Sequence, residues 1–106
     1  MRKISVLLLV AGMVAALSLP AAAAAAGEDV YKAKCLMCHA ADGKGNPNMV
    51  KSMGVKDLGS ADVQKLSDAD LKAAIEKGKN KMTGYKGKLT DKQIADLVSY
   101  VRTFKK

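Results

Sequence analysis

A chain of 106 residues with no Trp, one Phe and three Tyr has room for one small domain and little aromatic surface from which to build a core. Its 18 Lys and Arg against 10 Asp and Glu give a formal charge of +8, yet so few aromatics argue against nucleic acid, where bases need stacking partners. The only two cysteines and the only histidine lie within five residues of one another.

Residues 1–26 read as a targeting segment. Arg2 and Lys3 precede the apolar run Ile4 to Leu19, and after Pro20 the alanines 21–26 satisfy a small-residue cleavage pattern. Cleavage after Ala26 implies export to the periplasm and leaves residues 27–106 as a single domain. Removing Arg2 and Lys3 leaves 16 basic against 10 acidic residues over those 80, so the mature chain stays basic. The alternative is a retained leader, since Ile4 to Ala26 is long enough to span a bilayer. It contains no Cys to take a lipid.

From Glu28 to about His39 the sequence predicts a helix, with acidic residues in its first turn and Val30, Tyr31 and Lys34 at helical spacing. It ends in Cys35-Leu36-Met37-Cys38-His39. Positions three and four apart share a helix face, so both thiols and the imidazole can address one object. A haem uses all three: the thiols add across its two vinyl groups and the imidazole reaches the iron. A zinc site lacks a fourth ligand here, and a thioredoxin-like dithiol expects a βαβ setting. A plain disulfide leaves the position of His39 unexplained. A buried porphyrin also makes good the thin core, which implies that the apo-protein is largely unfolded.

Ala40 to Lys56 holds Gly43, Gly45, Asn46, Pro47, Asn48 and Gly54, and reads as an ordered loop without a long regular element. Ser60 to Leu66 allows a short helix. Ser67 then caps a firmer one from Asp68 to about Lys77, with Leu71, Ala74 and Ile75 on one side and Gly78 as its stop. Lys79 to Leu89 is irregular again. In the last helix Thr90 and Gln93 form a capping box ahead of the stripe Ile94, Leu97, Val98, Val101 and Phe104. No strand pattern competes. With the single histidine committed to one face of an iron, a methionine is the expected donor on the other. Met37 lies inside the motif and cannot reach that face, which leaves Met49, Met53 and Met82.

Together with Gly27 and Tyr31 ahead of the first Cys, and Leu97 and Tyr100 in the last helix, the motif resembles that of class I cytochromes c, the small bacterial monohaem type of the c6, c551 and c5 kind. The resemblance covers nearly all of residues 27–106. It implies an all-α cytochrome c fold, three to four helices and ordered loops around one covalent haem c, with Gly27 and Tyr31 packed on Leu97 and Tyr100. It further implies Cys35 and Cys38 as thioether sites and His39 and Met82 as axial ligands, with the Pro47 carbonyl holding the other ring nitrogen of His39. Thr83 stands where such proteins usually have Pro after the ligand Met, which implies a less stiff loop.

Filled axial positions leave no open site for substrate, so the implied role is electron carriage at a positive potential and not catalysis. Lys44, Lys51, Lys56, Lys77, Lys79, Lys81, Lys86 and Lys88 lie in or near the loops expected to border the haem. They would steer a monomeric carrier to acidic docking faces of redox partners for brief contacts. If Met82 does not ligate, a five-coordinate gas sensor or weak peroxidase follows instead. If the leader is retained, the domain is a membrane-tethered relay.

Overall fold

Alanine is the best helix former, and residues 21–26 carry the first helix well ahead of Glu28. In a computed structural model that describes residues 15–106, with side chains from Ala21 on, α1 spans Ala15–Lys34. Most of the expected leader, residues 1–14, lies outside the described residues. The remainder continues in helix through the expected cleavage point. Among the described residues no helix is long and apolar enough to cross a membrane.

The helix expected to run on to His39 is interrupted at Cys35, which becomes the N-cap of a separate turn, α2 (Leu36–His39). A further difference lies in residues 40–56, where the expected loop contains a two-turn helix, α3 (Pro47–Met53). Residues that act singly as breakers here act as a start and a stop. The Asn46 side chain accepts from the Asn48 N–H at 3.0 Å, and Pro47 supplies a pre-set φ at the first helical position. Gly54, at φ 69°, closes the helix with its N–H on the Val50 carbonyl at 3.0 Å.

The remaining helices follow their caps. Ser60 opens α4 (Ala61–Gln64), and Ser67 opens α5 (Asp68–Lys77), which Gly78 ends. The Thr90–Gln93 box opens α6 (Asp91–Arg102), with reciprocal bonds of 3.0 and 2.8 Å. Phe104 falls just beyond α6 but keeps its place among the aromatics. Between α5 and α6 only isolated bridge pairs form, Lys79 with Met82 and Lys86 with Leu89.

The first and last helices make the principal contact. A Cβ on Gly27 would overlap the Asp96 carbonyl, so α1 meets the backbone of α6 directly and no larger residue fits. One turn on, Tyr31 and Leu97 are each only 1% exposed. The Tyr31 ring lies 5.0 Å from that of Tyr100 and 5.5 Å from that of Phe104, tilted as aromatic quadrupoles favour. The expected pairing of Gly27 and Tyr31 with Leu97 and Tyr100 is therefore present. On the other side of α6, Val98 and Val101 pack with Val63 and Leu71. Arg102 fastens this side: its guanidinium donates to the Gln64 and Leu66 carbonyls at 2.9 and 2.6 Å and to the Asp68 carboxylate at 2.8 Å.

Candidate functional site

Three backbone bonds build the motif turn. The Cys35 N–H donates to the Tyr31 carbonyl at 2.8 Å, continuing the hydrogen bonding of α1, and the Cys38 and His39 N–H groups both return to the Cys35 carbonyl. Ala40 then takes a positive φ of 63°, uncommon for a residue with a Cβ, and turns the chain sharply. Beyond it the chain doubles back, with the Gly45 N–H on the His39 carbonyl and the Asn46 N–H on the Cys38 carbonyl, both at 2.9 Å. Two phenols clamp the turn from outside. Tyr31 donates its hydroxyl to the Ala40 carbonyl, and Tyr85 donates to the Lys34 carbonyl at 3.2 Å. Burial pushes the Tyr31 phenol well above its ordinary value, with the Cys35 charge adding to the effect, so it serves as a donor at all physiological pH.

Cys35, Cys38 and His39 are half-buried, and both cysteines are free thiols. Burial, reinforced by Cys38, pushes the Cys35 thiol up to about 11, so it stands as the neutral thiol at neutral pH. Burial also lowers the His39 imidazole below its usual value and favours the neutral form, the form that binds a metal. Its Nδ1 is buried without a hydrogen-bond partner, so the expected bond from His39 to the Pro47 carbonyl is not formed here. Pro47 instead occupies the first position of α3, one residue past the bond between Asn46 and Cys38.

Around the motif the surface is unusually apolar. Among the described residues, Leu36, Met37, Val50 and Met53 are the large hydrophobic side chains left exposed, Met37 at 76%. A cleft of about 590 Å³ opens beside them, lined among others by Lys34, Leu36, Met37, Cys38, Asn46 and Tyr85, and by neither His39 nor Met82. Met82 is half-buried in the loop after α5. That loop reaches α3 through the Lys81 ammonium, which donates to the Ser52 carbonyl at 3.3 Å, so α3 joins the segment holding His39 to the one holding Met82. Among the described residues no three His, Cys, Asp or Glu side chains gather as an ion site, which gives the zinc alternative no support.

Two free thiols and a half-buried imidazole whose Nδ1 is buried and unpartnered, all on one turn bordered by exposed apolar side chains, suit a covalently attached haem. The helical fold and this turn together define a c-type haem protein.

Comparison with known proteins agrees. Residues 22–101 match the family described as cytochrome C oxidase, cbb3-type, subunit III. Cytochrome c6 of Nostoc sp. (strain PCC 7120 / SAG 25.82 / UTEX 2576) is 38% identical over 101 residues, covering 91% of this chain and 86% of that protein. Cytochrome c6 of Limnospira maxima is 38% identical over 84 residues, covering 73% and 88%. Among solved structures, the KustC0563 c-type cytochrome superimposes with a TM-score of 0.69 at 33% identity, covering 76% of this chain and 98% of that one. The chain belongs to the small class I monohaem c-type cytochromes, has their all-α fold, and is an electron-transfer protein with covalently bound haem c and its iron.

Sequence reasoning missed several parts of the site. The Asn46-Pro47 start of α3 had a readable signal in the cap followed by proline, and the Gly54 stop completed it. Neither the Tyr85 clamp nor the positive φ of Ala40 had one.

Proposed function

We propose that the chain is a one-electron carrier and not an enzyme. Cys35 and Cys38 would hold the haem by thioether bonds, with His39 and Met82 as its axial ligands. The observation that carries this reading is the single short turn on which two free thiols precede a half-buried imidazole whose Nδ1 is buried without a partner. When bound, the haem supplies an iron that alternates between ferric and ferrous states. The protein's part is to fix the imidazole, exclude water and surround the group with apolar side chains. The buried His39 nitrogen needs an acceptor once the other nitrogen is engaged, and the Pro47 carbonyl is our assignment for it.

We further assign the mature domain to residues 27–106, released into the periplasm by cleavage after Ala26, as a monomer. All eight lysines expected at the rim are exposed, and none is neutralised by an ion pair among the described residues. That favours transient docking on acidic faces of redox partners, with rates that fall as salt rises.

Oxidised and reduced absorption spectra of the wild-type and Met82→Ala proteins test the ligation. The parent should show a far-red sulfur-to-iron band that the variant lacks, with the variant high-spin and its ferrous form open to carbon monoxide. An unchanged spectrum in Met82→Ala rules out this ligand and directs attention to Met53.

A further inference from the structure

Position 83 is a threonine, so no pyrrolidine ring stiffens the chain beside Met82, and yet this loop is closely held. The hold comes from two glycines. Gly78, at φ 79° and ψ 170°, has a backbone conformation essentially reserved for glycine. A Cβ there would overlap the Met82 carbonyl and stand 2.8 Å from the Gly84 nitrogen. Gly84 in turn lies on the last turn of α5, where a Cβ would come within 2.6 Å of the Glu76 carbonyl oxygen and 2.7 Å of that of Lys77. A Cβ on either glycine would thus run into the backbone of the segment that carries the other.

Hydrogen bonds lock this arrangement. The Tyr85 and Lys86 N–H groups donate to the Ile75 and Glu76 carbonyls at 2.8 and 3.0 Å, so the returning chain satisfies the final acceptors of α5. Within the loop Met82 and Lys79 exchange backbone bonds of 2.9 and 3.3 Å across Asn80, which sits in the left-handed region at φ 56°. Met82 is thus bonded on both sides of its backbone, and its carbonyl lies over a position that must be glycine.

We infer that Gly78 and Gly84 are positioning residues for Met82, fixing its sulfur toward the iron by close backbone packing on α5. The inference rests on Met82 being the axial ligand. Gly84 is the cleaner test, because its φ is not positive and an alanine there is opposed by contact alone.

Haem-loaded wild-type, Gly84→Ala and Met82→Ala proteins would be compared by far-red absorption, by titration of the ferric form with imidazole, and by far-ultraviolet circular dichroism. Met82→Ala should lose the band, while Gly84→Ala should weaken it and bind imidazole about tenfold more tightly, as expected when a competing ligand is less pre-organised. Helicity should be unchanged. A band and imidazole affinity equal to the parent's in Gly84→Ala overturn the inference while leaving Met82 as ligand. A band that survives in Met82→Ala overturns the ligand assignment itself. If Gly84→Ala does not accumulate, hydrogen exchange on the wild-type holoprotein decides. Met82 and Tyr85 amides that exchange together with the Gly78 amide at the end of α5 support the interlock, and freely exchanging ones refute it.

Discussion

The contact between α1 and α6 is closed by protein atoms alone, with Gly27 on the backbone at Asp96 and Tyr31, Ile94 and Leu97 almost wholly buried. The face made by α2, α3 and the loop carrying Met82 is built differently. Neither α2 nor α3 buries a residue, and among the described residues the four exposed large apolar side chains all lie in these two helices. The first region is held by side-chain packing. The second is held by backbone hydrogen bonds and leaves apolar side chains open on its surface, as a face that receives a haem would. The difference teaches where stability resides, and it can be pressed from either side.

The largest effect should follow from withholding the haem. Replacing both Cys35 and Cys38 by Ala should abolish the cooperative melt and most of the helicity seen by circular dichroism, because the remaining apolar core is too small to fix the loops. Native helicity with a sharp melt would show that the α1–α6 region supports the whole fold unaided.

Next in size is the opposite perturbation. Gly27→Ala drives a Cβ into the α6 backbone, and chemical denaturation of the holoprotein should report a loss of about 3 kcal/mol, since neither helix can yield without unpacking Tyr31. Haem spectra should be little altered. A change in the sulfur-to-iron band as large as the change in stability would mean that the two regions are not separable.

These two regions also differ in how far the amino acids announced them. The caps at Ser60, Ser67 and Thr90 and the stripe from Ile94 to Val101 obey local rules, so α5 and the starts of α4 and α6 were readable, while α4 and α6 end two residues before Leu66 and Phe104, to which they were expected to run. The thiols and imidazole were legible from their spacing. What escaped depends on contacts between distant segments: the Tyr85 hydroxyl on Lys34, Lys81 on Ser52, and the packing of Gly84 on α5. No periodicity encodes a backbone-to-backbone approach. The α3 helix is an intermediate case, since its signals were present but spread among residues that individually suggest a loop.

A smaller effect should come from Thr90→Ala, which removes the acceptor for the Gln93 N–H and half of the capping box. A loss of about 1 kcal/mol of stability, read from the shift in denaturant midpoint, is expected, without spectral change. The smallest effect concerns Asp57, whose carboxyl is held below its ordinary value of 3.8 by a hydrogen bond from the Lys106 ammonium and a second from the Gly59 N–H. Because the folded value is the lower one, its contribution is present above the ordinary carboxylate range and lost as pH falls through the folded value. Asp57→Asn should flatten the acid limb of stability against pH slightly, leaving neutral pH almost untouched. The exposed position of this pair keeps the effect small.

Since α1 and α6 are the first and last of the described helices, their meeting has the longest contact range among the described elements. Closing so long a loop is entropically unfavourable, and it cannot begin before the final helix has been synthesised. Until α6 is available, the Tyr31 ring on the helix leading into Cys35 lacks the enclosure that Tyr100 and Phe104 give it in the folded chain. The order in which the polypeptide becomes available thus sets an order of packing, in which the turn carrying the thiols is complete in sequence before the cluster that backs Cys35 can close.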